Sequence, residues 1–159
     1  MKTPHFLSLL AALLLLSAGT ASAQPNIANQ TVNLNVPAVL RLSVTPATLD
    51  LNLLETDFTP GTDQSATITD GSTTFRYVHN NGSPAAISVN VAAALPAGVN
   101  LSLELSGGGG PQALTTTAVD LLSGLARGAG NGTATYSFSA LASSAPSATA
   151  ATVVFTLHN

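Results

Sequence analysis

Hydrophobic and polar residues alternate with a period of two along most of this chain, and a helical period of 3.6 has little support. Val32, Leu34 and Val36 are separated by Asn33 and Asn35. Leu40, Leu42 and Val44 alternate with Arg41 and Ser43, and after Pro46 the series Leu49, Leu51, Leu53 alternates with Asp50 and Asn52. Successive side chains of a strand point to opposite faces, so each segment predicts one apolar face and one wet face. The pair Asp70-Gly71, between SATIT (65–69) and STTFRYVH (72–79), predicts a hairpin with a two-residue type I′ turn. Phe75 and Tyr77 then share a face, with Arg76 opposite.

Further strands are predicted at AISVNV (86–91), NLSLELS (100–106), 118–125, TATYSFSA (133–140) and TVVFTL (152–157). Asn80-Asn81-Gly82-Ser83, Pro96-Ala97-Gly98, Gly107–Gly110 before Pro111, and Gly128–Gly132 read as the turns between them. Residues 24–30 read as a polar lead-in and 141–150 as a mobile hairpin loop. Roughly nine or ten short strands, punctuated about every ten positions, predict an all-β fold: an antiparallel β-sandwich.

One segment breaks the rhythm. Lys2 is followed by an apolar run from Phe6 to Ala18, and Ala21-Ser22-Ala23 has the small-residue form of a signal cleavage site. The run is shorter than the ~18 residues of a membrane-spanning helix, and no later stretch reaches that length. The expectation is a cleaved export signal over 1–23 and a single domain over 24–159, with no membrane span in the mature chain. Residence in the periplasm, at the cell surface or outside the cell follows.

Composition narrows the chemistry. Charged residues make up 7% of the chain and aromatic residues 4%, while 45% is hydrophobic. There is no Cys, which excludes disulfides, thiolate metal sites and cysteine nucleophiles. From Gln24 onward there are three arginines, seven acids and no lysine, a formal charge of −4. Phosphate neutralisation needs clustered cations, so no nucleic-acid partner is expected.

Catalytic patterns are equally sparse. A Ser-His-Asp set has only His79 and His158 to draw on beyond the signal, and no G-x-S-x-G elbow exists. His79 has Asp70 as a possible neighbour across the predicted hairpin, but a polar residue near a turn is the plainer reading; His158, next to last, is expected to be frayed or solvated. Missing Trp and scarce Tyr weaken both a glycosidase and a stacking carbohydrate module. The acids Glu55, Asp57 and Asp63, with Asp70, form one cluster over LETDFTPGTDQSATITDG. Calcium takes several loop oxygens, which makes Glu55, Asp57 and Asp63 the candidates if a metal binds. They lack the D-x-D-x-D-G spacing, so solubilising loop acids are the favoured reading. No enzyme activity and no cofactor are expected.

Three segments carry a resemblance. YVHNNGSPAAISVNVAAALPAGVNLSLEL (77–105) resembles the Ig-like and pilin-like β-sandwiches of bacterial cell envelopes, in its N-G-S turn before one strand and its Leu-Pro-x-Gly corner before the next. TVNLNVPAVLRLSVTPATLDLNL (31–53) is similar in organisation to cysteine-free fimbrial subunits of the alpha-fimbria type. TATYSFSA…TVVFTL resembles the final hairpin of such secreted domains. The likeness lies in strand rhythm and turn residues, so no functional residue carries over by motif. It implies assembly by strand donation, in which an extended segment of one subunit completes a neighbour's sheet, with Val32, Leu34 and Val36 inserting. The residues themselves favour the simpler alternative, that 31–36 is the first strand of its own domain. The expected function is a structural or adhesive cell-surface protein, partnered by itself or by other envelope proteins through strand pairing. The alternative is a small secreted module binding calcium or a polysaccharide.

Overall fold

In this computed structural model the described residues are 28–82, 84–145 and 149–159, and they build eight strands and one short 3-10 helix. The strands are β1 (Leu40–Thr45), β2 (Ser65–His79), β3 (Ala85–Val91), β4 (Val99–Leu105), β5 (Gln112–Ala113), β6 (Val119–Leu125), β7 (Gly128–Leu141) and β8 (Val153–His158). The helix covers Glu55–Asp57. One sheet has the order β1-β2-β7-β4-β5 and the other β6-β3-β8, and every pairing is antiparallel. The chain divides into Met1–Asn35 and Val36–Asn159, and all eight strands belong to the second unit. The segment read as an export signal lies outside the described residues. Among them, no helix is long and apolar enough to cross a membrane.

The longest pairing joins β2 to β7, from Ser65 opposite Leu141 to His79 opposite Gly128. On its inner face Phe75 stands opposite Gly132 and Tyr77 opposite Gly130. A Cβ at Gly130 would collide with the Tyr77 ring, and one at Gly132 with the Phe75 ring and the Ser106 hydroxyl. Each ring therefore lies flat over the backbone of a glycine on the neighbouring strand, a cross-strand packing that side chains of any other size would block.

The inner faces of both sheets contribute to one apolar cluster. Phe75, Leu103, Leu105, Ala134 and Tyr136 come from the first sheet, and Ile87, Val89, Val91, Leu121, Leu125 and Leu157 from the second. The segment after β5 ties the sheets together through the backbone. Leu114 N–H donates to Leu101 O on β4, and Val91 N–H on β3 donates to Thr115 O. Successive residues of one chain thus bond to opposite sheets.

The structure corrects four sequence expectations. Asp70-Gly71 is no hairpin: β2 runs straight through it, with only a register irregularity between Asp70 and Thr73. No non-glycine residue among those described has positive φ, which a type I′ turn would need at Asp70. The six pairs from Ser65–Leu141 to Asp70–Tyr136, each hydrogen bond netting about 0.5–1.5 kcal/mol, outweigh the local turn preference. Asp70 instead caps the irregularity, accepting the Ser72 N–H at 2.8 Å and hydroxyl at 2.6 Å. Those bonds hold its carboxyl below the usual carboxylate range. Gly128–Gly132, expected as a turn, is strand, because the rings of β2 require glycine there. Leu49, Leu51 and Leu53 keep their alternation, half-buried while Asp50 and Asn52 are exposed, but join no ladder. Residues 31–36 also form no strand, and the described residues hold eight strands where about nine or ten were expected.

Two outcomes follow from this packing. Gly130→Ala and Gly132→Ala should each lower unfolding free energy by about 1–3 kcal/mol through overpacking, measured by urea titration, whereas Gly109→Ala, with open space around it, should not. Burial pushes the Tyr136 phenol up from its ordinary 10.0 to about 12. Its folded value is raised, so stability is intact below pH 10 and falls between pH 10 and about 12 as the unfolded state ionises first. Unfolding curves across that range should show the fall, and Tyr136→Phe should flatten it.

Candidate functional site

β1 and β8 are edge strands of different sheets that run beside each other without pairing. Their inward side chains, Leu42 and Val44 on β1 and Val153 and Phe155 on β8, pack against the core yet stay only half-buried. On the central strands β3 and β4, by contrast, Ile87 and Leu103 are fully buried. The seam between β1 and β8 therefore leaves apolar surface open, next to two edges whose outward N–H and C=O groups lack ladder partners. The chain enters this region through a fixed junction. Asn80 Oδ1 accepts the Val39 N–H at 2.7 Å, and its amide donates to Pro37 O at 2.7 Å, which fastens the start of β1 to the end of β2.

Val32, Leu34 and Val36 are 66%, 89% and 81% exposed. An apolar series this exposed is unusual in a chain that buries its other alternating series, since three such side chains forgo roughly 1.5–3 kcal/mol each of burial. The sequence alone assigns these six residues to a strand; no ladder among the described residues receives them.

The acids named from sequence are each placed, and two are already occupied. Asp57 Oδ2 accepts the Leu54 N–H at 2.8 Å, capping the 3-10 helix that also carries Glu55. Asp63 accepts both the Ser143 N–H and its hydroxyl at 2.9 Å, tying the start of β2 to the loop after β7. Among the described residues, no group of three or more His, Asp or Glu could hold a metal ion.

Both histidines differ from their expected settings. His79 is buried rather than near a surface turn, and it lies nine residues along β2 from Asp70, roughly 30 Å away at strand rise. Its Nε2–H donates to Ala126 O at 2.8 Å, and its buried Nδ1 has no partner among the described residues. His158 is not frayed: it ends β8 and reaches across β3 to Asp120 Oδ1 at 2.9 Å. At this exposure the contact contributes at most about 1 kcal/mol when the imidazole is charged.

No protein-family model matches the chain, and no curated protein does either. The seam itself carried no sequence signal beyond ordinary alternation, because Leu42, Val44, Val153 and Phe155 read like any inward residues. Only the pairing order shows that β1 and β8 are sheet edges that do not pair with each other.

Removing the Asp63 carboxylate tests whether it acts as a clasp or a ligand. Asp63→Ala should lower stability by about 1 kcal/mol, and calcium at about 1 mM should leave the melting temperature of the unmodified protein unchanged. A calcium-induced rise in melting temperature that Asp63→Ala abolishes would instead place an ion at these acids.

Proposed function

We propose that this chain is an exported, non-catalytic structural or adhesive cell-surface protein, a fimbria-like subunit whose two sheets pack as an Ig-like, pilin-like β-sandwich. Copies join when residues 31–36 of one subunit enter the seam between β1 and β8 of the next. The observation that carries this reading is the presence of an open apolar seam and an exposed segment of alternating apolar residues in the same chain.

The two parts match in size and chemistry. Six residues in strand conformation span roughly 20 Å, the length of β1 or of β8, each six residues long. Val32, Leu34 and Val36 would fall on one face, over Leu42, Val44, Val153 and Phe155, and the backbone would complete the open edge hydrogen bonds. Asn33 and Asn35 would stay on the wet face. A cleaved signal over 1–23 supports export, and the low formal charge from Gln24 onward, −4 from three arginines and seven acids, means that copies repel one another weakly. The partners are then other copies, or envelope proteins with an equivalent donor strand.

The double variant Val32→Asp, Leu34→Asp alters two exposed positions and should leave the folded domain intact. It should convert a ladder of multimers into monomer in size-exclusion chromatography with light scattering. Multimers that persist unchanged in the variant, or a monomer from the unmodified protein, would sink strand donation.

A further inference from the structure

The outer face of the first sheet carries its positive charge in one place. Ladder register sets Arg41, Val78 and Ala129 side by side across β1, β2 and β7, and Ser43, Arg76 and Asn131 in the next row. All six are exposed. The two arginines are diagonal neighbours, about 7–8 Å apart at the backbone. Neither has a salt bridge or a side-chain hydrogen bond among the described residues, although acids outnumber arginines seven to three after the signal. No acid stands in either row, and threonines fill the row that follows. The third arginine, Arg127, lies elsewhere and donates to Asn81 O. Residues of β1 and β2 around Arg41 and Arg76 line a shallow, open cavity of about 270 Å³.

We infer that this patch is a binding site for an acidic polysaccharide, which it holds by a sugar carboxylate or sulfate between Arg41 and Arg76. Paired guanidinium groups suit an oxyanion because each offers a planar fork of N–H donors matched to its oxygens. The surrounding groups decide what carries the anion. Two cations and no lysine are too few for a densely charged chain, whose binding depends on many neutralised charges. Ser43, Asn131 and the threonine row offer neutral donors and acceptors, which match sugar hydroxyls between widely spaced anionic groups. The face has no aromatic platform, so charge takes the place that ring stacking holds in recognition of neutral sugars. The inference extends the adhesive part of the proposed function and holds whether or not subunits exchange strands.

Calorimetric titration of the full chain carrying Val32→Asp and Leu34→Asp keeps binding separate from assembly, since that variant leaves the arginine patch untouched. A galacturonate hexamer should bind saturably and maltohexaose should not. Arg41→Gln or Arg76→Gln should each weaken binding about tenfold, Arg127→Gln should leave it unchanged, and added salt should weaken it because the site is exposed. Absence of saturable binding, equal binding of maltohexaose, or full affinity in the Arg41→Gln, Arg76→Gln double variant would overturn the site. Poly-glutamate binding as tightly as the galacturonate hexamer would overturn the glycan assignment in favour of an acidic peptide.

Discussion

The pairing of β2 with β7 is the constraint on which the rest of the molecule depends. These two strands occupy the middle of the five-stranded sheet, and β1 and β4 each take their register from one of them. Slipping β2 by one residue would turn Phe75 and Tyr77 outward and bring charged Arg76 against the core. The glycines of β7 prevent such a slip, because only they leave room for rings at those two places. A sheet that gives up side chains on one strand gains a fixed register in return, and the positions of Leu42, Val44, Arg41 and Ser43 on β1 are inherited from it.

That inheritance explains why the two faces of β1 have opposite characters. Its inward side chains reach a core that the neighbouring sheet covers only in part, because β8 lies beside β1 without bonding to it. Its outward side chains meet an acid-free surface of arginine, serine and threonine. One edge strand thus borders both the apolar seam and the cationic patch, and the two present different chemistry: aliphatic side chains beside an unpaired strand edge on one side, guanidinium groups on the other.

The strand rhythm was largely legible in the sequence, and the exceptions share a cause. Alternation at 40–44, 86–91, 100–105 and 153–157 became strands because those residues also found partners. Alternation at 31–36 and 49–53 did not, since period two describes a side-chain pattern and says nothing of where a ladder lies. Asp70-Gly71 and Gly128–Gly132 misled in the opposite direction: local turn preference was overruled by pairing between residues some sixty positions apart in the chain. The same limit hid the site. Arg41 and Arg76 each occupy an ordinary polar slot of an ordinary strand, and the seam is a property of strand order, which no window of sequence contains.

Tyr77 lies on the opposite face of β2 from Arg76. Its ring crosses Gly130 on the inner side, and the ring centroid is 6.3 Å from that of buried His79. The protein has no tryptophan, and its only other tyrosine, Tyr136, is buried in the core. Its ultraviolet emission is therefore divided between two phenols with different surroundings: one buried in the core, one half-buried over a glycine. The molecule carries an intrinsic optical reporter on the core side of the strand that bears Arg76, and an internal reference within the same sheet.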